Sequence, residues 1–291
     1  MTKLEPPKAT PSGLLGRRAP VVAVIRLTGV IGAMGGMRRG LSLATVGPRL
    51  ERAFKTRRLA AVALAVNSPG GAPVQSALIA GRIRDLAAEK EIPVTAFIED
   101  VGASGGYWLA CAGDEIFAQA SSIVGSIGVV SGGFGFAEMI RKLGIERRLH
   151  TAGDKKAMLD PFGPEKPADV KHLKALQKEI HEDFITMVRA RRGDKLAGKD
   201  KVLFSGAFWT GTTALDLGLI DGLGEIRSIM RERYGDKVKF KVFDERRSWW
   251  QRRFSLGAGS APEAPGAWPA DLADGLLAAA EERLWWSRYG I

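Results

Sequence analysis

Short, continuously apolar runs alternate with helical patterns from about residue 20 onward, and this alternation restricts the possible folds strongly. The runs VVAVIRL (21–27), LAAVALAV (59–66) and PVTAFI (93–98) are β-strand candidates, and helical patterns occupy 43–56 and 74–90. Strands that alternate with helices indicate right-handed βαβ units and a parallel sheet. Because the runs are apolar throughout, helices are expected on both faces of that sheet.

The pattern along the chain predicts four segments. Residues 1–18 read as a disordered basic tail without the apolar core of a signal peptide, and 19–242 as the main α/β domain. Residues 243–270 combine a basic and aromatic stretch with a Gly/Pro/Ala linker, and 271–291 read as an amphipathic helix that forms a helical C-terminal extension.

A second amphipathic helix is predicted at 168–192, and five apolar side chains share one of its faces. These are Leu173, Leu176, Ile180, Phe184 and Met187. Such a stripe indicates either packing against the core or contact with another subunit.

The net charge of +11 is concentrated in residues 227–253, which hold ten Lys/Arg against four Asp/Glu. Trp249, Trp250 and Phe254 are interleaved with arginines there. This composition fits a solvated edge whose basic side chains lie along apolar surface, or peripheral contact with an anionic membrane. Nucleic acid is not expected as a partner, because no nucleic-acid motif accompanies the charge.

The single cysteine, Cys111, cannot form an internal disulfide and lies in the apolar run YWLACA, so it is expected to be a core residue. The chain has no apolar run of the roughly 18 residues that a membrane span requires. Together these features favour a cytoplasmic location, with peripheral membrane association as the variant that the basic segment allows.

Ser104, in GASGGYW, lies where a predicted strand meets a predicted helix. One interpretation is a helix N-cap, for which serine is a preferred residue. The other is a nucleophile, which a sharp strand-to-helix turn with small neighbours would expose to substrate.

A second glycine-rich turn, NSPGG, follows the preceding strand and ends in Gly70 and Gly71. In a parallel sheet both turns lie at the carboxyl edge, where active sites collect. A backbone N–H of Gly70 or Gly71, together with that of Gly105, would be placed to stabilise an oxyanion. The alternative interpretation is an ordinary Pro-Gly turn.

A nucleophilic serine needs a base, and the candidates are three histidines and one lysine pair. His150 has no carboxylate set to orient it, and His172 and His181 fall among charged residues and are interpreted as solvated. Lys155 and Lys156 precede the apolar Met158 and Phe162. Desolvation can lower the pKa of a lysine enough to make it a base, whereas a lysine pair in a polar loop is otherwise surface charge.

Five blocks in order, VNSPGG, GASGGYW, VGSIGVV, GDKKAMLDPF and WTGTTALDLGLIDGLG, resemble the signal peptide peptidase A family of serine peptidases. The resemblance covers about residues 20–235 and implies the fold shared by the Clp protease subunit and the crotonases. It also implies a Ser-Lys dyad of Ser104 and Lys156, with Ser126 positioning the lysine and Gly70, Gly71 and Gly105 forming the oxyanion hole.

The resemblance further implies an endopeptidase that needs no ATP, metal or cofactor and that cleaves signal-peptide remnants or other unfolded, hydrophobic peptides. The resemblance also implies a homo-oligomer for a chain of this length, in which Ser104 and Lys156 either belong to one chain or meet across a subunit boundary. Two alternatives remain: an acyl-CoA enzyme of the crotonase type with Glu99 or Asp100 as base, and a non-catalytic scaffold at a membrane.

Overall fold

Eight strands form one sheet in the part of the chain that the structure, a computed structural model, describes: residues 19–32, 40–244 and 283–290. They are β1 (Val21–Thr28), β2 (Leu59–Ser68), β3 (Val94–Ala103), β4 (Glu115–Ala118), β5 (Ile123–Gly125), β6 (Phe208–Thr210), β7 (Gly222–Leu223) and β8 (Lys239–Phe243). The order is β6-β5-β3-β2-β1-β8, with β4 between β3 and β7. Only the β5–β6 pair is antiparallel within these residues, so the predicted α/β fold with a parallel sheet is confirmed.

Helices connect the strands. They are α1 (Leu43–Phe54), α2 (Pro73–Lys90), α3 (Gly105–Ala110), α4 (Ala137–Lys142), α5 (Pro167–Arg192), α6 (Asp200–Leu203), α7 (Gly211–Asp216) and α8 (Ile226–Tyr234), with a 3₁₀ turn at Gly193–Lys195. The long helices α2 and α5 begin with a proline, which suits a first turn because its missing N–H would have no intrahelical partner.

The two faces of the sheet are covered by different helices. One face carries the main core, to which α1, α2, α3 and α5 contribute. On the other face β2 presents the small side chains of Ala61, Ala63 and Ala65, and Met230 of α8 packs with them. Both faces are therefore dry along β2, which explains why its sequence does not alternate.

The basic stretch 227–253 contains a β-strand that its charge pattern did not predict. Its described residues include most of α8 and all of β8, which pairs with β1 at the sheet edge and ends one residue past the predicted boundary at 242. Basic side chains lie over aromatic rings there: Arg227 over Phe240 at 5.4 Å and Arg233 over Phe117 at 5.3 Å. This part of the stretch fits the interpretation as a solvated edge whose basic side chains lie along apolar surface.

Several predicted segments lie outside the described residues. They are the tail 1–18, the Trp249, Trp250 and Phe254 cluster with its arginines, and the linker that follows it. Of the predicted helix 271–291 only 283–290 is described, and residues 283–287 are helical.

The predicted helix 168–192 is α5, but its apolar stripe is core over only part of its length. Phe184 is buried and stacks on Trp108 at 4.8 Å, whereas Leu176 is 43% exposed. The first half of the helix thus presents apolar side chains that no described residue covers completely.

A buried ion pair ties the end of α5 to the sheet. Arg192, which is 3% exposed, donates to Asp221 at 2.6 Å and to the Gly218 carbonyl at 3.0 and 2.8 Å. Asp221 also accepts from the Ile116 amide of β4 and from Lys195. Burial alone would raise the pKa of Asp221, but the hydrogen bonds from Arg192 and Lys195 outweigh it and lower that pKa below its ordinary value.

Replacing Asp221 by alanine is expected to lower the free energy of unfolding by about 3–5 kcal/mol, because Arg192 would stay buried without a counter-charge. The exposed partner gives the control: Lys195→Ala is expected to cost about 1 kcal/mol or less. Because the folded-state pKa of Asp221 is lowered, its contribution is complete above pH of about 4 and is lost as the pH falls through the folded value. Urea unfolding at pH 7 and pH 3 measures both effects, and equal losses for the two variants would refute the assignment.

Candidate active site

Ser104 occupies the junction between β3 and α3 in a conformation that non-glycine residues rarely adopt. Its φ is 52° and its ψ −123°. Such a backbone costs about 1–3 kcal/mol and persists only where the surroundings enforce it. Here the Ser104 amide donates to the Gly125 carbonyl at 2.8 Å, and the Ser104 carbonyl accepts from the Trp108 amide at 3.1 Å.

The Ser104 side chain caps no helix. It stands at the N-cap position of α3 but makes no capping hydrogen bond, and its Oγ has no hydrogen-bond partner among the described residues. The residue is half-buried, so part of the side chain is accessible to solvent. The capping interpretation is therefore wrong for this serine.

The turn after β2 packs directly against Ser104. A Cβ added to Gly70 would lie 2.7 Å from the Ser104 Cβ and 2.9 Å from the Gly105 nitrogen, too close for any side chain. A Cβ added to Gly105 would lie 3.4 Å from the Gly71 nitrogen. The structure thus brings together the two glycine turns that the sequence predicted to meet at the sheet edge.

Two backbone donors at this meeting point are unused. The N–H groups of Gly71 and Gly105 donate to no described residue, whereas the neighbouring Gly70 amide donates to Ser68 Oγ. Buried amides usually have partners. A pair of unused N–H groups beside an unpartnered hydroxyl is the arrangement that stabilises an oxyanion.

Ser126 lies one residue beyond the carbonyl that holds Ser104. It also has a positive φ, 53°, and its amide donates to the Ala207 carbonyl at 2.7 Å. Because β5 pairs with the last residues of β3, Ser126 follows directly on the strand that fixes Ser104.

Lys156 is exposed in the single chain. Its backbone amide donates to the Gly153 carbonyl, and its side chain makes no hydrogen bond to Ser104 or Ser126. It belongs to the segment 128–166 between Ser126 and α5, which we call the arm. The arm contacts itself through the Phe136–Phe162 ring pair at 5.6 Å and the Arg147–Asp160 ion pair.

His181 is not the solvated residue that the sequence indicated. It is half-buried on α5, and its Nε2 lies 3.1 Å from the Ile127 carbonyl, one residue past Ser126. No sequence signal places the two together, because 54 positions separate them. His172 is exposed, as predicted, and His150 is exposed as well.

The carboxylates considered for acyl-CoA chemistry have other partners. Asp100 accepts from Asn67 Nδ2 at 2.7 Å, and Glu99 pairs with Arg26 at 3.5 Å. Both line a cavity of about 790 Å³ whose walls come from β1, β3, β8 and the start of α8. Neither carboxylate contacts Ser104 in the structure.

Two further chemistries find no support among the described residues. Cys111 is buried, and burial raises its pKa to about 12, which leaves no thiolate nucleophile at neutral pH. No group of three His, Cys, Asp or Glu in residues 19–32, 40–244 and 283–290 is placed to hold a metal ion. Within the same ranges, no helix combines the length and apolarity needed to cross a bilayer.

Comparison with known proteins identifies the family. The model of peptidase family S49 matches residues 87–238, a range that contains Ser104, Ser126 and Lys156. The chloroplastic serine protease SPPA of Arabidopsis thaliana is 30% identical over 220 residues, which are 73% of this chain and 32% of that protein.

A second curated relative carries a different name, and one solved structure also matches. A Brucella abortus protein named Na(+)/H(+) antiporter NhaA is 55% identical over 272 residues, 93% of this chain but 37% of that protein. The chain thus spans about a third of the length of either curated relative. A solved structure of a mutant of the 1510-N membrane-bound stomatin-specific protease is similar with a TM-score of 0.45 and 13% identity, covering 78% of this chain and 99% of that one.

The family match includes Ser104, Ser126 and Lys156 and covers more than half of the chain. The chain belongs to peptidase family S49.

Proposed function

We propose that the protein is a serine endopeptidase in which Ser104 is the nucleophile. The observation that carries the proposal is an unpartnered hydroxyl on a strained strand–helix junction beside two unused backbone donors. These donors are backbone amides of packed turns, and an extended peptide can bring a carbonyl to them. We propose unfolded or hydrophobic peptides as the substrates, signal-peptide remnants among them, with hydrolysis that uses no ATP.

Lys156 acts as the base in this proposal. Ser104 Oγ attacks the peptide carbonyl carbon while its proton passes to the neutral lysine amine, and the Gly71 and Gly105 amides hold the oxyanion. The same proton then goes to the leaving amine as the C–N bond breaks, and water hydrolyses the resulting ester. The amine must be neutral to act as a base, and desolvation, which disfavours the charged form of a lysine, would keep it so.

Lys156 reaches the site, in our proposal, from a neighbouring copy in a homo-oligomer. The arm that carries it exposes an unusual number of large apolar side chains, including Phe134 at 80% and Leu143 at 66%. Clusters of this kind mark contact surfaces. Burial between copies would cover them, dry the amine and deliver it to Ser126, which would hold it by a hydrogen bond.

Ser104→Ala and Lys156→Ala are each expected to lower kcat/KM for an unfolded fluorogenic peptide by at least about a thousandfold, since each removes a group that moves the proton or forms the ester. Lys155→Ala is the matched control and should retain nearly all activity. A fluorophosphonate probe should label Ser104, as shown by peptide mapping. Full activity in Lys156→Ala combined with its loss in His181→Ala would refute the dyad, and inertness of the wild type to probe and peptides would favour a scaffold.

Gly70→Ala is expected to lower kcat/KM by about a hundredfold or more, because the added methyl displaces the Ser104 junction and the oxyanion donors. Gly81→Ala is the control, since Gly81 is exposed on α2 with nothing within 4 Å of an added Cβ. That change should leave activity intact and add up to about 1 kcal/mol of stability. Full activity in Gly70→Ala would remove the turn from the site.

Mixing inactive variants tests whether the dyad spans two copies. If Ser104 of one chain works with Lys156 of another, equal amounts of Ser104→Ala and Lys156→Ala, unfolded and refolded together, should recover about a quarter of the wild-type activity. Each variant refolded alone should stay inactive. Failure of the mixture to recover activity, with mixed oligomers present by native mass spectrometry, would place both residues in one chain.

A further inference from the structure

Strand β3 changes its neighbour on one side shortly before it reaches Ser104. Up to Ile98 it pairs with β4, and from Val101 onward it pairs with β5 instead. The last residues of β3 therefore lie beside the strand whose Gly125 carbonyl accepts from the Ser104 amide. The position of Ser104 thus depends on how β3 makes this transition.

The transition takes place at a bulge in β3. On the β2 side, Val66 pairs with Ile98. The next pair is Ser68 with Gly102, so one residue of β2, Asn67, lies opposite three residues of β3. Bulges interrupt the ladder of backbone hydrogen bonds, and next to active sites they change the direction in which a side chain is presented.

The side chain of Asn67 holds this bulge. Its Oδ1 accepts from the Val101 amide at 3.1 Å, and its Nδ2 donates to Asp100 Oδ2 at 2.7 Å. Only this orientation of the carboxamide satisfies both partners, because the amide needs an acceptor and the carboxylate needs a donor. Val101 is fully buried, so water does not readily replace the Asn67 oxygen.

The opposite side of the bulge is held by Ser122, which is 3% exposed. Its Oγ donates to the Glu99 carbonyl and accepts from the Gln119 amide at 3.0 Å. Both Gln119 and Ser122 belong to the connection between β4 and β5, the two strands between which β3 changes. The bulge is therefore fixed from both sides, by Asn67 and by Ser122.

Asn67 also belongs to the turn that presents the oxyanion donors. It is the first residue of NSPGG, and its carbonyl accepts from the Gly29 amide at 2.9 Å. Its backbone continues directly into the turn that contains Gly71, while its side chain holds β3 at Val101, shortly before Ser104. One side chain therefore connects the strand that presents the nucleophile to the turn that presents the donors.

We propose that Asn67 is a positioning residue of the candidate active site, whose side chain sets the bulge in β3 and thereby places Ser104 against the oxyanion donors. The inference rests on the proposed peptidase function and adds to it a residue that acts without touching the substrate. Misplacing a reacting group by about 1 Å can lower a rate about a hundredfold. The loss is expected in kcat rather than in KM, because Asn67 aligns groups that act in the transition state.

Asn67→Ala is accordingly expected to lower kcat for an unfolded fluorogenic peptide about a hundredfold with KM unchanged, and to slow fluorophosphonate labelling of Ser104. Asp114→Ala is the matched control. Asp114 accepts from the Val94 amide at 2.9 Å, so this change removes a side-chain contact from the other end of β3 and should leave kcat unchanged. Urea unfolding of both variants gives their stability, and an equal fall of kcat in the two would overturn the inference.

Exchanging the two polar groups tests the hydrogen bonds themselves. Asn67→Asp keeps the acceptor for Val101 but sets two carboxylates against each other, and it should lower kcat at least about tenfold. Asp100→Asn alone keeps an acceptor for Asn67 Nδ2 and should retain most of the activity. The double variant Asn67→Asp with Asp100→Asn recreates both hydrogen bonds with donor and acceptor exchanged, and it should recover most of the wild-type kcat.

The outcomes separate this inference from the function on which it rests. Inertness of the wild type to probe and peptides would reject the peptidase and the inference with it. Beside an active wild type, full kcat in folded Asn67→Ala or no recovery in the double variant would overturn the inference alone. Failure of both Asn67→Ala and Asn67→Asp to fold would make the residue a structural one and would overturn it as well.

Discussion

The backbone of Ser104 is the constraint on which the candidate site depends. A serine with φ of 52° and ψ of −123° needs its neighbours to enforce that geometry. The pairing of Ala103 with Gly125 fixes one side, because the Gly125 carbonyl takes the Ser104 amide. Gly70 fixes the other by packing against Ser104 Cβ where no side chain would fit. Both supports also place the unused donors of Gly71 and Gly105, so the strain at Ser104 and the placement of these donors have one origin.

Contacts of α3, the helix that follows Ser104, connect this constraint to the core. Tyr107, one turn into α3, is fully buried, and its hydroxyl donates to the Leu219 carbonyl at 2.7 Å. Leu219 lies between Gly218 and Asp221, the partners of Arg192. The conspicuous LDLGLIDGLG stretch thus acts as an anchor: it joins the end of α5, the start of β4 and the short helix after Ser104. These contacts support the Ser104 junction, and they give a physical reason for one of the five blocks that carry the family resemblance.

The features that could be predicted from the sequence are those that a local residue pattern determines. Continuous apolar runs gave β1, β2 and β3, and the two glycine turns were expected at one edge because parallel strands end together. Contacts between distant segments were not predictable: β8 joins the sheet through backbone pairing although two of its five residues are lysines, and His181 meets Ile127 across the fold. Tyr289 reaches Ser126 from 163 positions away, and no periodicity encodes such a distance.

The arm carries both exposed apolar side chains and Lys156, and a single chain neither covers the former nor desolvates the latter. Phe134, Leu143 and the first half of α5 expose apolar surface that a monomer would keep in water, at about 25 cal/mol for each Å² that burial could remove. Lys156, on the same arm, would need a dry environment to serve as a base at neutral pH. Covering the arm with another copy would meet both requirements at once. In the proposed assembly, apolar burial would lower the free energy and offset the cost of desolvating the amine, so catalytic competence would depend on association.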